Sequence, residues 1–404
     1  MTTERRYFTL NNSDLPASKA VPRKKGRRLR RVLCILVLLL ALLAVLYLLF
    51  PGLVNLDPVV RFFRYMGLRD KETYGRITLD GGAGNVYAGF DDGLLMGSES
   101  GVTLYSLDGE QKVLIQGSLP TPVLRTGGDV CLVFSPGSAY AASVGAGGTV
   151  LMDGALSGDF INADVSTDGY TAYITTESGY KSVATVLNPK QEPLYRFSSR
   201  TRYLNACAVS DEGELLAVAR LEEEGGVYHS GITILRTDLP LTDLEQDGAE
   251  TARLELGNQV VYELRFLDPT HLMAVAQNEI VFLNAQGERL NALPRHAGEL
   301  ADYAVSSKGW VILALEQNGG GCRILTMDAE GNALGELDLP DRVRSVSAAG
   351  NYAAVLTETS VQTFDRQLSA YDRSWDVLSA TRAIARSDGT VLLVGSGGTK
   401  LFIP

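Results

Sequence analysis

The sequence has few of the residues on which catalytic and metal sites usually depend. Its 404 residues include three histidines, four cysteines and two tryptophans. It contains no G-x-S-x-G, H-E-x-x-H, C-x-x-C or P-loop motif, so the common signatures of serine hydrolases, zinc peptidases, redox dithiols and nucleotide-binding enzymes are missing. We therefore predict that the protein binds no metal and no cofactor. The same absences favour a non-catalytic role over an enzymatic one.

Unbroken apolar stretches are short in most of the sequence, and the longest one is informative. Residues 32–50 form an unbroken apolar run of nineteen residues, VLCILVLLLALLAVLYLLF. As a helix this run is roughly 28 Å long, which matches the hydrocarbon thickness of a bilayer. It is longer than the apolar region of a cleaved signal peptide and ends without an A-x-A-like site. We predict an uncleaved transmembrane helix that anchors the chain in the lipid bilayer.

The charge on either side of the run predicts its orientation. Residues 1–31 carry ten Lys or Arg and two Asp or Glu. Basic flanks stay in the cytoplasm, so the N-terminus is expected inside and residues 51–404 outside the cell membrane. Subtracting the +8 of this tail from the −10 of the whole chain leaves −18 for residues 32–404. Such an acidic domain is a poor ligand for nucleic acid, and no nucleic-acid partner is predicted.

Residues 51–71 are expected to connect the membrane helix to the outer domain. Residues 58–69 place Val59, Phe62, Phe63 and Met66 near one helical face, with arginines interspersed. This pattern is typical of a short interfacial helix, although a simple linker fits it as well.

The cysteines do not suggest a disulfide framework. Cys34 lies in the apolar run, whereas Cys131, Cys207 and Cys322 are far apart in the outer domain, each within an apolar stretch. An odd number in such surroundings is typical of buried free thiols, and a single bridge between two of them is left open.

Residues 72–404 show a repeat of about 40 residues. A turn rich in Asp, Ser and Gly recurs eight times, at Gly93, Gly128, Gly169, Gly213, Thr270, Gly309, Gly350 and Gly389. A second turn follows each first one except the last, so each unit has four short apolar strands. Four strands per repeat are typical of a β-propeller blade, and we predict an all-β, eight-bladed propeller. If the Gly-rich second unit is not a full blade, the propeller has seven.

The last unit has only three predicted strands, ending in GTKLFIP. Residues 74–80 precede the first full unit and have no strand partner of their own. We predict that this N-terminal strand completes the last blade, which closes the ring and removes two exposed sheet edges.

The VSTDG and VSDEG turns resemble those of propellers with tryptophan-aspartate and quinoprotein-like repeats. The whole chain is similar to an uncharacterised group of clostridial membrane proteins with a basic tail, one span and an outer propeller. The stretches GFDDGLLMGSESGVTLYSLDGE and FLNAQGE carry this likeness. The resemblance implies a fold and a Gram-positive envelope location but no activity. With two tryptophans, the chain lacks the repeated tryptophan docking motifs of the quinone-binding members.

Two places are candidates for a functional site. One is the central channel, where the innermost strands are expected to place Asn162, Asn205, Glu263, Asp302 and Arg382. The last three are expected to form structural ion pairs, whereas a channel enzyme would bring them within about 5 Å of one another. The other is a pair of insertions that lengthen the fourth unit, whose candidate partner-binding residues are Glu222, Glu223, Glu224, Asp243, Glu245 and Asp247.

The function predicted from these features is non-catalytic. We expect a membrane-anchored propeller that binds or scaffolds an envelope protein or wall polymer. Two alternatives are an enzyme that acts on envelope glycans or peptides through the channel, and a sensor that signals through the span to the cytoplasmic tail.

Overall fold

The computed structural model describes residues 57–66, 77–79, 82, 84–238, 249–295, 298–377 and 380–404, together with the single residues 35 and 38. The predicted tail and almost all of the predicted membrane helix, residues 32–50, lie outside the described residues. Within the described part, no helix is both long enough and apolar enough to cross a membrane. Residues Val60–Pro404 form one compact unit, and the contacts described below lie within it.

Eight antiparallel sheets follow one another along the chain, and each is one blade. Blade one contains β1 (Val86–Phe90), β2 (Gly93–Ser98), β3 (Gly101–Tyr105) and β4 (Gln111–Gln116). Blade two contains β5 (Val123–Gly127), β6 (Val130–Phe134), β7 (Tyr140–Gly145) and β8 (Val150–Ala155). Blade three contains β9 (Phe160–Val165), β10 (Thr171–Glu177), β11 (Tyr180–Leu187) and β12 (Pro193–Ser199). Blade four contains β13 (Tyr203–Val209), β14 (Leu215–Glu224), β15 (Val227–Arg236) and β16 (Glu250–Gly257).

The second half of the ring repeats this order. Blade five contains β17 (Val261–Asp268), β18 (His271–Ala276), β19 (Glu279–Asn284) and β20 (Arg289–Pro294). Blade six contains β21 (Glu299–Ser306), β22 (Trp310–Glu316), β23 (Cys322–Met327) and β24 (Ala333–Leu339). Blade seven contains β25 (Val343–Ala349), β26 (Tyr352–Thr357), β27 (Val361–Asp365) and β28 (Ala370–Ser374). Blade eight contains β29 (Ala380–Ala385), β30 (Val391–Gly395) and β31 (Gly398–Phe402). The predicted eight-bladed propeller is confirmed, and the Gly-rich second unit is a full blade.

The recurring Asp- and Gly-rich turns define the two faces of the ring. In every blade the first turn joins strands one and two, and in blades one to seven the second turn joins strands three and four on the same face. We call this the first-turn face; the turns between strands two and three lie on the opposite face. In blade one, Asp91 and Asp92 both have positive φ, 48° and 57°, the conformation that a tight two-residue hairpin turn needs.

The apolar core lies between the blades. The described buried side chains form eight clusters, and each joins two neighbouring blades. One cluster joins blade eight to blade one through Leu392 and Val394 on one side and Leu94 on the other. Because every blade is buried on both faces, its second and third strands are almost continuously apolar rather than alternating.

An N-terminal segment lies where the missing strand of blade eight was predicted. Ile77 is buried, its carbonyl accepts a hydrogen bond from the Thr399 amide (3.1 Å), and its own amide donates to Thr399 Oγ1 (2.8 Å). Leu79 is buried in the same cluster between blades eight and one. Residues 74–76 and 80 of the predicted strand lie outside the described residues. The described segment therefore lies along the outer edge of β31 and joins the start of the propeller to its last blade.

A short helix, α1 (Asp57–Arg64), precedes this segment. The sequence pattern predicted a helix over residues 58–69, with a linker as the alternative. The helix is shorter than predicted, and a turn at Tyr65 and Met66 follows it.

Candidate functional site

The first strands of the blades line the axis of the ring. Successive first strands contact one another, as β1 does β5 and β5 does β9, and β29 contacts β1 in turn. The five channel residues expected from the sequence all lie on first strands: Asn162 on β9, Asn205 on β13, Glu263 on β17, Asp302 on β21 and Arg382 on β29.

Charged side chains from three blades meet in the channel. Arg125 of blade two donates to Glu263 Oε1 of blade five (2.8 Å), although 138 positions separate them in sequence. Arg265 Nη2 lies 3.0 Å from the same Glu263 oxygen, and its Nη1 contacts Asp164 of blade three. We call these four residues the channel network. Their two positive and two negative charges balance, and the network connects non-adjacent blades across the axis.

Burial and pairing act against each other within this network. Burial lowers the pKa of Arg125, which contacts only one of the two carboxylates. Burial acts in the same direction on Arg265, but Asp164 and Glu263 together outweigh it and raise the pKa of that guanidinium. Burial raises the pKa of Asp164, and the neighbouring arginines oppose that shift. The Asp164 side chain is 5% exposed and the other three are 17–20% exposed, so the pairing compensates for the partial loss of water around all four.

The remaining predicted channel residues connect one first strand to another. Asp302 accepts hydrogen bonds from the Val346 amide (2.9 Å) and from Arg382 Nη1 (3.2 Å). Burial raises the pKa of Asp302, and both of these contacts oppose the shift. Among the ion pairs of the described residues, those of Glu263 are with Arg125 and Arg265, and those of Asp302 are with Arg382. Glu263 and Asp302 thus belong to separate pairings.

The two asparagines also join neighbouring blades. Asn162 Oδ1 accepts a hydrogen bond from the Cys207 amide (3.2 Å), and Asn205 Nδ2 donates to the Val261 carbonyl. Their amide groups are therefore used to hold blade three to blade four and blade four to blade five.

Sequence reasoning missed Arg125, Asp164 and Arg265. The prediction named one residue on each of five first strands, yet side chains two positions apart point to the same side of a strand. Asn162 and Asp164 form one such pair, and Glu263 and Arg265 form another. Extending the expected channel positions by two would have found both missed residues on β9 and β17.

The strongest surface feature is a hairpin of blade four. β14 and β15 pair from Leu215–Arg236 to Glu224–Val227, and they extend beyond both flanking strands of the sheet. Pairing with β13 ends at Leu221 and pairing with β16 ends at Ser230, so residues 222–229 form a two-stranded projection, which we call the blade-four hairpin. Its turn has Gly225 and Gly226 at φ 63° and 81°, the conformation of a tight hairpin turn.

Two of the predicted partner residues serve the hairpin itself. Glu222 accepts from Arg220 (2.7 Å) and lies 3.1 Å from Arg202, so it ties the base of the hairpin to the blade. Glu223 accepts from the Gly226 amide (2.7 Å) and closes the turn. Glu224 is the last residue of β14. These contacts leave Val227 and Tyr228, 50% and 57% exposed, as the large apolar surface of the projection.

Tyr203 and Tyr262, both 51% exposed, lie on the same face, the one opposite the first turns, and Tyr180 is partly buried there. The Lys181 ammonium lies 4.5 Å from the centre of the Tyr203 ring, and the Arg200 guanidinium lies 5.3 Å from that of Tyr180. Cation–π contacts of this kind hold aromatic rings in place at a surface. We define the aromatic patch by these four residues together with Tyr228 of blade four and Tyr262 of blade five.

The second insertion of blade four follows β15 and precedes β16. It joins strands three and four, so it leaves the blade on the first-turn face, and the blade-four hairpin leaves it on the opposite face. Asp243, Glu245 and Asp247 lie outside the described residues. The two insertions that seemed to mark one site therefore start from opposite faces of the propeller.

Cys131, Cys207 and Cys322 are free and buried. Burial raises the pKa of Cys131 to about 12 and that of Cys322 to about 11, and it raises that of Cys207 as well. Thiols held in the protonated form in this way are poor nucleophiles. They act as small apolar core residues.

Comparison with known proteins adds a family and a fold. Residues 65–370, about three quarters of the chain, match the model of a family described as "Family of unknown function (DUF5711)". No curated protein matches the chain.

Solved structures of other propellers are similar in fold. The C-terminal WD40 domain of Sif2 has 11% identity and a TM-score of 0.54, with 82% of this chain and 98% of that chain covered. BamB from Moraxella catarrhalis has 15% identity and a TM-score of 0.47, with 80% and 94% covered. Sqt1 from Chaetomium thermophilum, solved bound to the N-terminus of ribosomal protein L10, has 14% identity and a TM-score of 0.49, with 82% and 100% covered. At these identities the likeness concerns the fold alone.

Proposed function

We propose that this chain, which belongs to the family of unknown function matched above, is a membrane-anchored binding module of the cell envelope. Its propeller would recognise an envelope protein or a wall polymer without chemical conversion. The observation that carries the proposal is the blade-four hairpin with its neighbouring aromatic patch. Exposed loops on a rigid scaffold are the usual place for binding residues, and tyrosine is enriched where such surfaces bind.

The proposed location is the outer side of a cell membrane. It is supported by the sequence of residues 32–50 and by the basic residues that precede them, which favour an N-terminus in the cytoplasm. The acidic remainder of the chain fits a domain that does not bind anionic lipid or nucleic acid through its bulk charge.

The arrangement of the channel favours binding at the surface over chemistry in the channel. The charged groups of the channel network are paired with one another, and Asp302 is paired with Arg382. A general acid or base must be within hydrogen-bond reach of the substrate proton. Each of these carboxylates would have to break its ion pair with an arginine before it could act on a substrate. The Tyr228 side chain is exposed, so it can contact a partner without such a step.

Site-specific photo-crosslinking in the native membrane tests the proposal. A photoreactive benzoylphenylalanine would replace Tyr228 in the full-length protein, with Leu114 as the matched control. Leu114 is 52% exposed on the outer strand of blade one, away from blade four. We expect one reproducible cross-linked partner at position 228 and none at 114.

The partner's affinity is then measured for Tyr228→Ala. A tyrosine central to an interface contributes about 2 kcal/mol, roughly thirtyfold in Kd. Equal cross-linking at positions 228 and 114, or an unchanged Kd for the variant, would contradict the proposed binding face.

A further inference from the structure

Helix α1 is fixed to the propeller by one of its sides. Arg61 and Tyr65 are one helical turn apart, and they are 8% and 2% exposed. Arg61 Nη1 donates to the Asp388 carbonyl (3.1 Å), and the Tyr65 hydroxyl donates to Asp388 Oδ2 (2.9 Å). Arg386 Nη1 donates to the Tyr65 hydroxyl (3.0 Å). Asp388 and Arg386 belong to the first turn of blade eight, so the helix is attached to the first-turn face.

A second set of contacts joins the helix to blade one. Arg64 Nη2 donates to Asp92 Oδ2 (3.1 Å), and Arg386 donates to Asp92 Oδ1 (2.8 Å). Asp92 lies in the first turn of blade one. The end of α1 therefore covers the junction of blades eight and one on the first-turn face, with a defined orientation.

The other side of the helix is apolar and faces solvent. Phe62, Phe63 and Met66 are 60%, 67% and 65% exposed, and the two phenylalanine rings lie 5.6 Å apart in an edge-to-face arrangement. A helix advances about 100° per residue, so these three side chains lie on the side away from Arg61 and Tyr65. Three large apolar side chains, two on α1 and one on the turn that follows it, form a surface that gains by contact with an apolar environment.

The sequence indicates what covers this surface. The apolar run of residues 32–50 ends six residues before α1 begins at Asp57. Six or seven extended residues reach at most about 25 Å. If residues 32–50 cross a bilayer, α1 lies within that distance of the bilayer surface. Amphipathic helices with Phe on one face and Arg on the other bind in the interfacial region of membranes, with the apolar face about 5–10 Å deep.

We infer that Phe62, Phe63 and Met66 insert into the headgroup region of the bilayer and hold the first-turn face of the propeller against the membrane. The aromatic patch and the blade-four hairpin then face away from the membrane. This inference rests on the proposed function in one respect, the membrane anchor of residues 32–50. It adds a second membrane contact and fixes which face of the propeller is available to a partner.

The test places an environment-sensitive NBD fluorophore at position 63 of the full-length protein in vesicles of neutral phosphatidylcholine. The labelled variant is Phe63→Cys in a Cys34→Ala background, and the matched control is Val227→Cys, which is 50% exposed on the opposite face. The three remaining cysteines are buried. We expect a blue-shifted emission at position 63 that brominated lipid quenches, and a water-like, unquenched emission at position 227.

Alkaline carbonate extraction of the same vesicles separates the two ideas. If the protein is extracted, the anchor and the proposed location fail. If the protein stays in the membrane but the label at position 63 is water-like and unquenched, the anchor stands and the helix insertion is overturned. A blue-shifted label that lipid does not quench, together with cross-linking between copies, would assign the surface to self-association and also overturn it.

A triple variant, Phe62→Ser with Phe63→Ser and Met66→Ser, provides an independent check. Its side chains are exposed, so the unfolding midpoint in detergent should not fall. A fluorophore at Asn188, in the second turn of blade three on the first-turn face, should lose protection from an aqueous quencher in this variant. If the fluorophore at position 188 stays equally protected from the quencher in the triple variant, α1 does not hold the first-turn face against the membrane.

Discussion

Replacing Glu263 by Gln should destabilise the propeller, because Glu263 is the one acidic partner of Arg125 in the channel network and a second partner of Arg265. The substitution keeps the size of the side chain but leaves the network with two positive charges and one negative charge. Removing one partner of a fully buried ion pair costs about 3–5 kcal/mol. The Glu263 side chain is 20% exposed, so water screens part of the loss and we expect about 2–3 kcal/mol.

A double-mutant cycle makes this prediction specific. Arg125→Gln combined with Glu263→Gln leaves Arg265 and Asp164, a neutral pair in direct contact. The double variant should therefore be more stable than the sum of the two single changes predicts, with a coupling energy of about 1–3 kcal/mol. Arg265→Gln combined with Glu263→Gln should recover less stability. This double variant leaves Arg125 and Asp164, which do not form an ion pair with each other among the described residues.

The assay is urea unfolding of the full-length protein in detergent. Trp310 is buried in blade six and donates to the Gly350 carbonyl (2.9 Å), so its fluorescence reports the loss of native packing. The exposed pair Arg323 and Asp338 serves as the control, and Asp338→Asn should cost less than about 1 kcal/mol. The comparison requires an unchanged denaturant slope. A coupling energy below about 0.5 kcal/mol for Arg125 and Glu263 would refute the ion pair across the channel.

Three further predictions concern closure, acid stability and the thiols. Ile77→Ala should lower the free energy of unfolding by about 2–4 kcal/mol in the same assay, because Ile77 is buried between blades eight and one; no change would contradict the N-terminal closure. Burial alone would raise the pKa of Asp388, but hydrogen bonds from Thr390 and Tyr65 lower it below its ordinary value. A lowered pKa stabilises the folded state above the unfolded pKa of about 3.9 and this contribution is lost as pH falls. Asp388→Asn should therefore be less stable at pH 7 and lose less stability between pH 5 and 3; a parallel pH profile would count against it. The three buried cysteines should react with a thiol reagent only after urea is added, and labelling of Cys131 in the native protein would contradict its burial.

Most of the fold could be predicted from the sequence because its signals are local. Each first turn is a short Asp- or Gly-rich sequence between apolar strands, and in blade one the two aspartates have the positive φ that such a turn requires. The count of three strands in the last unit then required a strand from elsewhere. Ile77 occupies that place, since an open edge on β31 would otherwise leave backbone groups unpaired.

The channel network was only partly predictable because its pairings depend on the geometry of the whole ring. Glu263 was found from its position in the repeat, but its partner Arg125 is three blades away, and no local pattern predicts that the two side chains meet. Arg265 could have been predicted from alternation, since it is two positions from Glu263 on the same strand. Alternation along a strand shows which side chains point into the channel. Which of them contact one another depends on how the closed ring places its blades.

For helix α1 and the blade-four hairpin, too, the sequence predicted the element but not its position on the ring. The sequence showed an apolar helical face near residue 62 and a long insertion near residue 224, but it did not show on which face of the ring either one lies. Strand order answers this for the hairpin, because a turn between strands two and three leaves a blade on the face opposite the first turns. Contacts of Tyr65 with Asp388 answer it for α1, which lies on the first-turn face. If α1 marks the membrane side, the exposed Tyr228 of the blade-four hairpin lies on the side that faces away, where an envelope partner has access. Under this proposal, the ring of eight blades would separate attachment from recognition by using its two faces for different contacts.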